Sequence, residues 1–101
     1  MSTRLDQELY TFAEEVITVA DSSTRLTVSN VLSTPKPREV EVFVNTAQMR
    51  FRADGTDPTS SVGEILNPMD RLTLRSHADM WNFRGIRTGS TSATIHVRYK
   101  R

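Results

Sequence analysis

His77 and His96 are the chain's only histidines, and imidazole is the side chain best suited to moving a proton or holding a metal near neutral pH. Neither lies in an H-x-x-x-H or H-E-x-x-H pattern, which would bring two ring nitrogens to one helix face. In "ATIHVRYK" strict alternation sends Ile95, Val97 and Tyr99 to one side and Thr94, His96 and Arg98 to the other. His96 therefore reads as a solvated or interface residue. Serine is plentiful, but no G-x-S-x-G elbow presents one as a nucleophile. Four glycines make no phosphate-cradling loop, and with no cysteine there is neither thiolate chemistry nor a disulfide. The sequence predicts no enzyme, metal or cofactor.

Asp-Gly, Asp-Pro and four Ser/Thr residues fall in one stretch, "FRADGTDPTSS" from Phe51 to Ser61. Asp54, Asp57 and Glu64 supply oxygens, but not at the alternating positions of a calcium loop. Turn chemistry explains the stretch better. Asp54-Gly55 pairs a self-bonding Asx residue with one that tolerates positive φ. Asp57 is pushed out of the helical region by Pro58, and Thr56, Thr59, Ser60 and Ser61 can satisfy backbone groups at such a corner. Asp54, Gly55, Asp57 and Pro58 are expected to form a structural turn.

Other side chains suit binding. Arg50 and Arg52 share one strand face, opposite Met49 and Phe51, and Arg71, Arg75, Arg84, Arg87 and Arg98 lie on later segments. Such a set reads either as a solvated sheet face or as a surface that pairs with a partner's carboxylates. In "REVEVFVN" Val40, Val42 and Val44 take the inner face, which leaves Phe43 outside as a candidate interface anchor. Trp81, in the non-alternating "ADMWNF", is either a cap on the core or a partner-facing hot spot.

The elements that must position these residues are short. Leu5, Leu9 and Phe12 recur at i, i+4, i+7, which fits a short helix or an arm packed on a neighbour. Residues 1–14 are assigned to that arm and 15–101 to a single domain. "EVITVA", "RLTVSNVL", "REVEVFVN", "MRFRA", "RLTLR", "FRGIR" and "ATIHVRYK" read as strands. The link "NTAQ" has the length of a β-hairpin loop. Ser76 and Asp79 have capping-box spacing, which predicts a helical turn in "SHADMWN". Pro35 and Pro37 interrupt pairing between the second and third strands. Seven or eight short antiparallel strands with regular turn signals predict an all-β domain, a small β-sandwich or jelly-roll-like barrel.

A chain of 101 residues holds one modest core. Its net charge of +1 gives no electrostatic case for nucleic acid. The charge is uneven, −2 over residues 1–50 and +3 over 51–101, a bias able to aid docking on an acidic partner. No apolar run approaches the roughly 20 residues of a membrane helix. The N-terminus lacks a signal-peptide core, so a reducing, soluble compartment is expected.

"MRFRADGTDPTSSVGEIL", "DRLTLRS" and "FRGIRTGSTSATIHVRYK" together resemble a family of small tailed-bacteriophage virion-associated proteins. The matching positions run from Phe51, Arg52, Asp54, Gly55, Thr56, Pro58 and Thr59 through Gly63, Phe83, Ile86 and Arg87 to Val97 and Tyr99. The resemblance spans residues 15–99. Lys100-Arg101 and the longer N-terminal segment depart from the pattern. "RADGTDPT" is also similar to a turn in β-sandwich modules of chitobiase-like glycosidases. The phage resemblance implies a structural virion protein on the capsid exterior, made in the host cytoplasm. It would be a decoration or cement subunit, with a tail, baseplate or neck component as the alternative. A carbohydrate-binding module is the reading from another class. Implied partners are the major capsid protein or other virion subunits and further copies of the chain, trimers included. Leu5, Leu9, Phe12, Phe43, Arg50, Arg52 and Trp81 are the expected interface residues.

Overall fold

The computed structural model describes residues 9–101. Leu5 and the rest of residues 1–8 lie outside them. Seven strands and two short helices follow in chain order: β1 (Thr11–Val19), α1 (Val28–Val31), β2 (Glu39–Asn45), β3 (Met49–Arg52), β4 (Glu64–Leu66), β5 (Arg71–Leu74), α2 (His77–Asn82), β6 (Arg84–Arg87) and β7 (Ala93–Lys100). They form two antiparallel sheets, four-stranded β1-β7-β2-β5 and three-stranded β4-β3-β6. The predicted all-β, sandwich-like domain is the observed one.

Alternation builds the core directly. β2 contributes Val40, Val42 and Val44, and β7 contributes Ala93, Ile95, Val97 and Tyr99, all buried. From the other sheet Met49, Phe51 and Leu66 face them, and Phe83, just ahead of β6, joins them. Phe51 stacks on Phe83 with ring centroids 5.7 Å apart. β7 lies between β1 and β2 and pairs along its length with both, in keeping with the strict alternation that it shares with β2.

Three expectations change. The segment expected as an arm or helix up to residue 14 is already sheet from Thr11, with Ala13 opposite Tyr99 and a register shift between Thr11 and Ala13. Phe12 and Ala13 pack against the core, so burial draws this segment into the domain. "RLTVSNVL" is not a strand. Thr24 makes a single bridge to Gly85, and α1 then turns Val31 inward beside Leu26. Finally, β2 and β3 are not a hairpin, because they belong to different sheets. Thr46 takes φ 72° in the link, and its Oγ1 accepts from the Thr94 backbone N–H at 3.1 Å, fixing the chain where it crosses between layers.

Candidate interaction surfaces

The stretch from Phe51 to Ser61 is a structured corner. Gly55 has φ 86°, and Asp54 Oδ1 accepts from the Thr56 backbone N–H at 3.0 Å. Arg52 forks onto the same carboxylate, Nη2 to Oδ2 at 2.6 Å and Nε to Oδ1 at 3.2 Å. The hydrogen bond from Arg52, joined by that from Thr56, holds the Asp54 carboxyl far below the usual carboxylate range. Pro58 is buried. Asp57 accepts from Ser23 Oγ at 2.9 Å and lies 3.7 Å from Arg84 Nε, which ties the corner to the neighbouring loops.

Arg50 and Arg52, expected on a partner-facing surface, each have partners within the chain. Arg50 donates to the carbonyls of Ser60 (3.1 Å) and Gly63 (2.7 Å), so its fork closes the loop back onto β3. Arg52 is committed to Asp54. Both guanidinium groups thus help to hold the corner in place.

Trp81 does face outward. Ser76 Oγ accepts from the Asp79 N–H at 3.0 Å and caps α2. That orientation buries Met80 and leaves Trp81 37% exposed. The Arg25 guanidinium lies 4.1 Å from the indole centroid, a cation–π contact, and donates to the Trp81 carbonyl at 2.9 Å. Arg84 donates to that carbonyl as well, at 3.1 Å. A side chain at Gly55 would meet Asn82 Oδ1 at 3.2 Å, so the Asp54–Pro58 corner rests against the end of α2. Arg25, Trp81, Asp57 and Arg84 thus meet at one rigid end of the sandwich. Sequence reasoning missed Arg25, which lies 56 positions from Trp81 with no local pattern linking them.

Phe43 lies on the outer face of the four-stranded sheet, as expected, in one row with His96 and Arg71. Arg71 covers its ring at 4.5 Å. Glu41, Phe43, Arg71, His96 and Arg98 line a shallow notch of about 80 Å³. His96 Nε2 lies 2.7 Å from Glu14, whose carboxylate is 3.8 Å from Arg98 Nε. Phe12 is turned elsewhere: half-buried, its ring centroid is 6.3 Å from that of Tyr99 and 3.9 Å from the Arg101 guanidinium. It therefore packs within the chain. Leu9 is 37% exposed just before β1.

His77 Nε2 is 2.9 Å from the Val31 carbonyl, a contact between the two short helices. Among the described residues no cluster of His, Asp and Glu could hold a metal ion, and no helix is long and apolar enough to cross a membrane. Protein-family models, characterised proteins and solved structures were searched, and none gave a match.

Proposed function

We propose that the chain is a structural protein of a tailed-phage particle, a capsid decoration or cement subunit that docks on the exterior of the assembled head. The resemblance of residues 15–99 to small virion-associated proteins supports the class. The observation that carries the docking mode is the Trp81–Arg25 stack at an end made rigid by the Asp54–Pro58 corner. An exposed indole on a rigid base with charges of both signs around it suits gripping a protein surface. A subunit that binds only the assembled state stabilises that state by mass action.

Purified particles stripped of the protein provide the test. Wild-type chain should rebind, and Trp81→Ala should bind about 30-fold more weakly, the loss of about 2 kcal/mol typical of an interface hot spot. Equal occupancy by the variant would remove Trp81 from the interface. Cryo-EM density on the tail or baseplate instead of the head would replace decoration by the tail reading. A Trp81-dependent signal on a glycan array would replace both by carbohydrate binding.

A further inference from the structure

The outer face of the four-stranded sheet carries charge in stripes. β1 presents Glu14. β7 presents His96, Arg98 and Lys100. β2 presents Glu39 and Glu41, followed by Phe43. β5 presents Arg71, and Arg75 follows directly after it. Across the order β1-β7-β2-β5 the sign alternates: negative, positive, negative, positive. Cross-strand register sets the rows. Glu39 lies opposite Lys100, Glu41 opposite Arg98 and Phe43 opposite His96. Val16, opposite His96, extends the Phe43 row to β1 and is 67% exposed.

We infer that this face is self-complementary and pairs with a second copy of the chain around a two-fold axis parallel to the strands, between β7 and β2. Such an axis reverses strand order and keeps each residue at its own level along the strand. β7 then faces β2 of the partner subunit, and β1 faces its β5. Arg98 meets Glu41 of the partner subunit, Lys100 meets Glu39 of the partner subunit, and His96 lies over Phe43 of the partner subunit. Each contact occurs twice, as an isologous interface requires. A two-fold axis across the strands would instead set β7 on β7 and β2 on β2, like charge on like, so the stripes also select the orientation. The stripes already pair within the sheet, Lys100 with Glu39 and Glu41 at 3.6 and 3.7 Å and Arg98 with Glu14 at 3.8 Å. A second copy therefore sets a further opposite charge over each stripe, whereas a partner patch of one sign would meet like charge on half of them.

The contact area sets the strength. Four strands about 4.8 Å apart and roughly 25 Å long offer about 500 Å² per copy, near the lower bound for specific association. The dimer is accordingly a micromolar or weaker one, steered by charge. It leaves the Trp81 end free, and it holds or fails independently of what that end binds.

Sedimentation equilibrium from roughly 10 µM to 1 mM, the range a small interface demands, reads the association. Wild type should rise toward twice the chain mass. Glu41→Arg and Arg98→Glu should each weaken the dimer at least about tenfold, because each sets two like charges face to face. The deciding step is mixing. A Glu41→Arg chain against an Arg98→Glu chain restores an opposite pair at both contacts, so the mixture should dimerise to within about threefold of wild type. Each variant alone also places like charges side by side within one sheet, so circular dichroism should first establish that both fold. Should either fail to fold, Arg98→Gln and Glu41→Gln avoid the added like-charge pairs: each alone loses both contacts and should weaken the dimer, and their mixture should regain one of the two. A wild type that stays monomeric throughout the range overturns the inference, and so does a mixture of folded variants no more associated than its components.

Discussion

Tyr99 shows how a single side chain ties the sheet edge to the rest of the domain. It is fully buried, and its hydroxyl donates to the Glu15 carboxylate. That carboxylate also accepts from Thr27 Oγ1 at 2.6 Å and Asn30 Nδ2 at 3.1 Å, so β1, β7 and α1 meet on one group. Burial first, and the neighbouring Glu15 second, push the Tyr99 phenol well above its ordinary pKa. With the folded value raised, this contribution to stability is complete below the unfolded value of about 10. It is lost as pH rises beyond that toward the folded value. Tyr99→Phe should be less stable than wild type at pH 7 by about 1–2 kcal/mol, the cost of leaving Glu15 without that donor. Urea unfolding should show the gap between the two narrowing once pH passes about 10; a gap that stays constant to high pH would contradict the account. The alternation of β7 made Tyr99 legible in the sequence as an inward residue and His96 as an outward one, and that of β2 did the same for Phe43. The acceptors of Arg50 were not legible. Which carbonyls reach a guanidinium depends on how the loop at residues 53–63 returns, and side-chain periodicity along β3 carries no record of that.

At the scale of elements, strand existence followed from period-two patterning, but strand partnership did not. β2 and β3 are separated by a link of hairpin length, yet they lie in different layers, because Thr46 at φ 72° and its bond from Thr94 turn the chain across the sandwich. Length alone cannot tell a hairpin from such a crossing. "RLTVSNVL" misled for a different reason. Two apolar residues two apart are too short a sample, and the inward residues Leu26 and Val31 are spaced to suit a bridge followed by a helical turn. Two glycines distinguish the demands on the second sheet. Gly63 has φ 130°, and a Cβ there would lie 3.0 Å from the Phe51 carbonyl oxygen and 3.2 Å from Pro58 Cβ. Gly85 has no such backbone constraint, and its closest obstacle is the Met49 terminal methyl at 2.7 Å, the flexible end of an adaptable side chain. Gly63→Ala should therefore cost about 2–3 kcal/mol through strain and a backbone clash. Gly85→Ala should cost about 1 kcal/mol as Met49 shifts. Chemical denaturation of the two variants checks the order, and a reversed order would mean that β6, not the β3–β4 corner, is the tightly constrained part of the sheet.

For the molecule as a whole, a two-layer domain this small buries its inner faces and leaves both outer faces for other uses. The sequence made the inward and outward faces of the long strands readable, and it contained the signs of the outer residues of β2 and β7. What it could not supply was strand order, and only strand order turns scattered Glu, Arg and Lys into alternating stripes across β1-β7-β2-β5. If those stripes hold two copies together, folding and association are linked, since the dimer exists only between folded chains. The melting temperature should then climb with protein concentration. For two domains of this size unfolding together, the enthalpy makes that climb roughly 2–4 °C per tenfold at concentrations above the dissociation constant. Salt should diminish it. The screening length falls from about 10 Å at 0.1 M to about 3 Å at 1 M, shorter than the reach over which facing charge stripes attract, while apolar burial inside each sandwich is unaffected by screening. Differential scanning calorimetry at low and high salt over a hundredfold concentration range reads both effects at once. A concentration-dependent transition that salt leaves untouched would assign the contact to apolar residues such as Val16 and Phe43 rather than to the charges, and a transition independent of concentration at low salt would return the chain to a monomer whose outer sheet face meets only solvent.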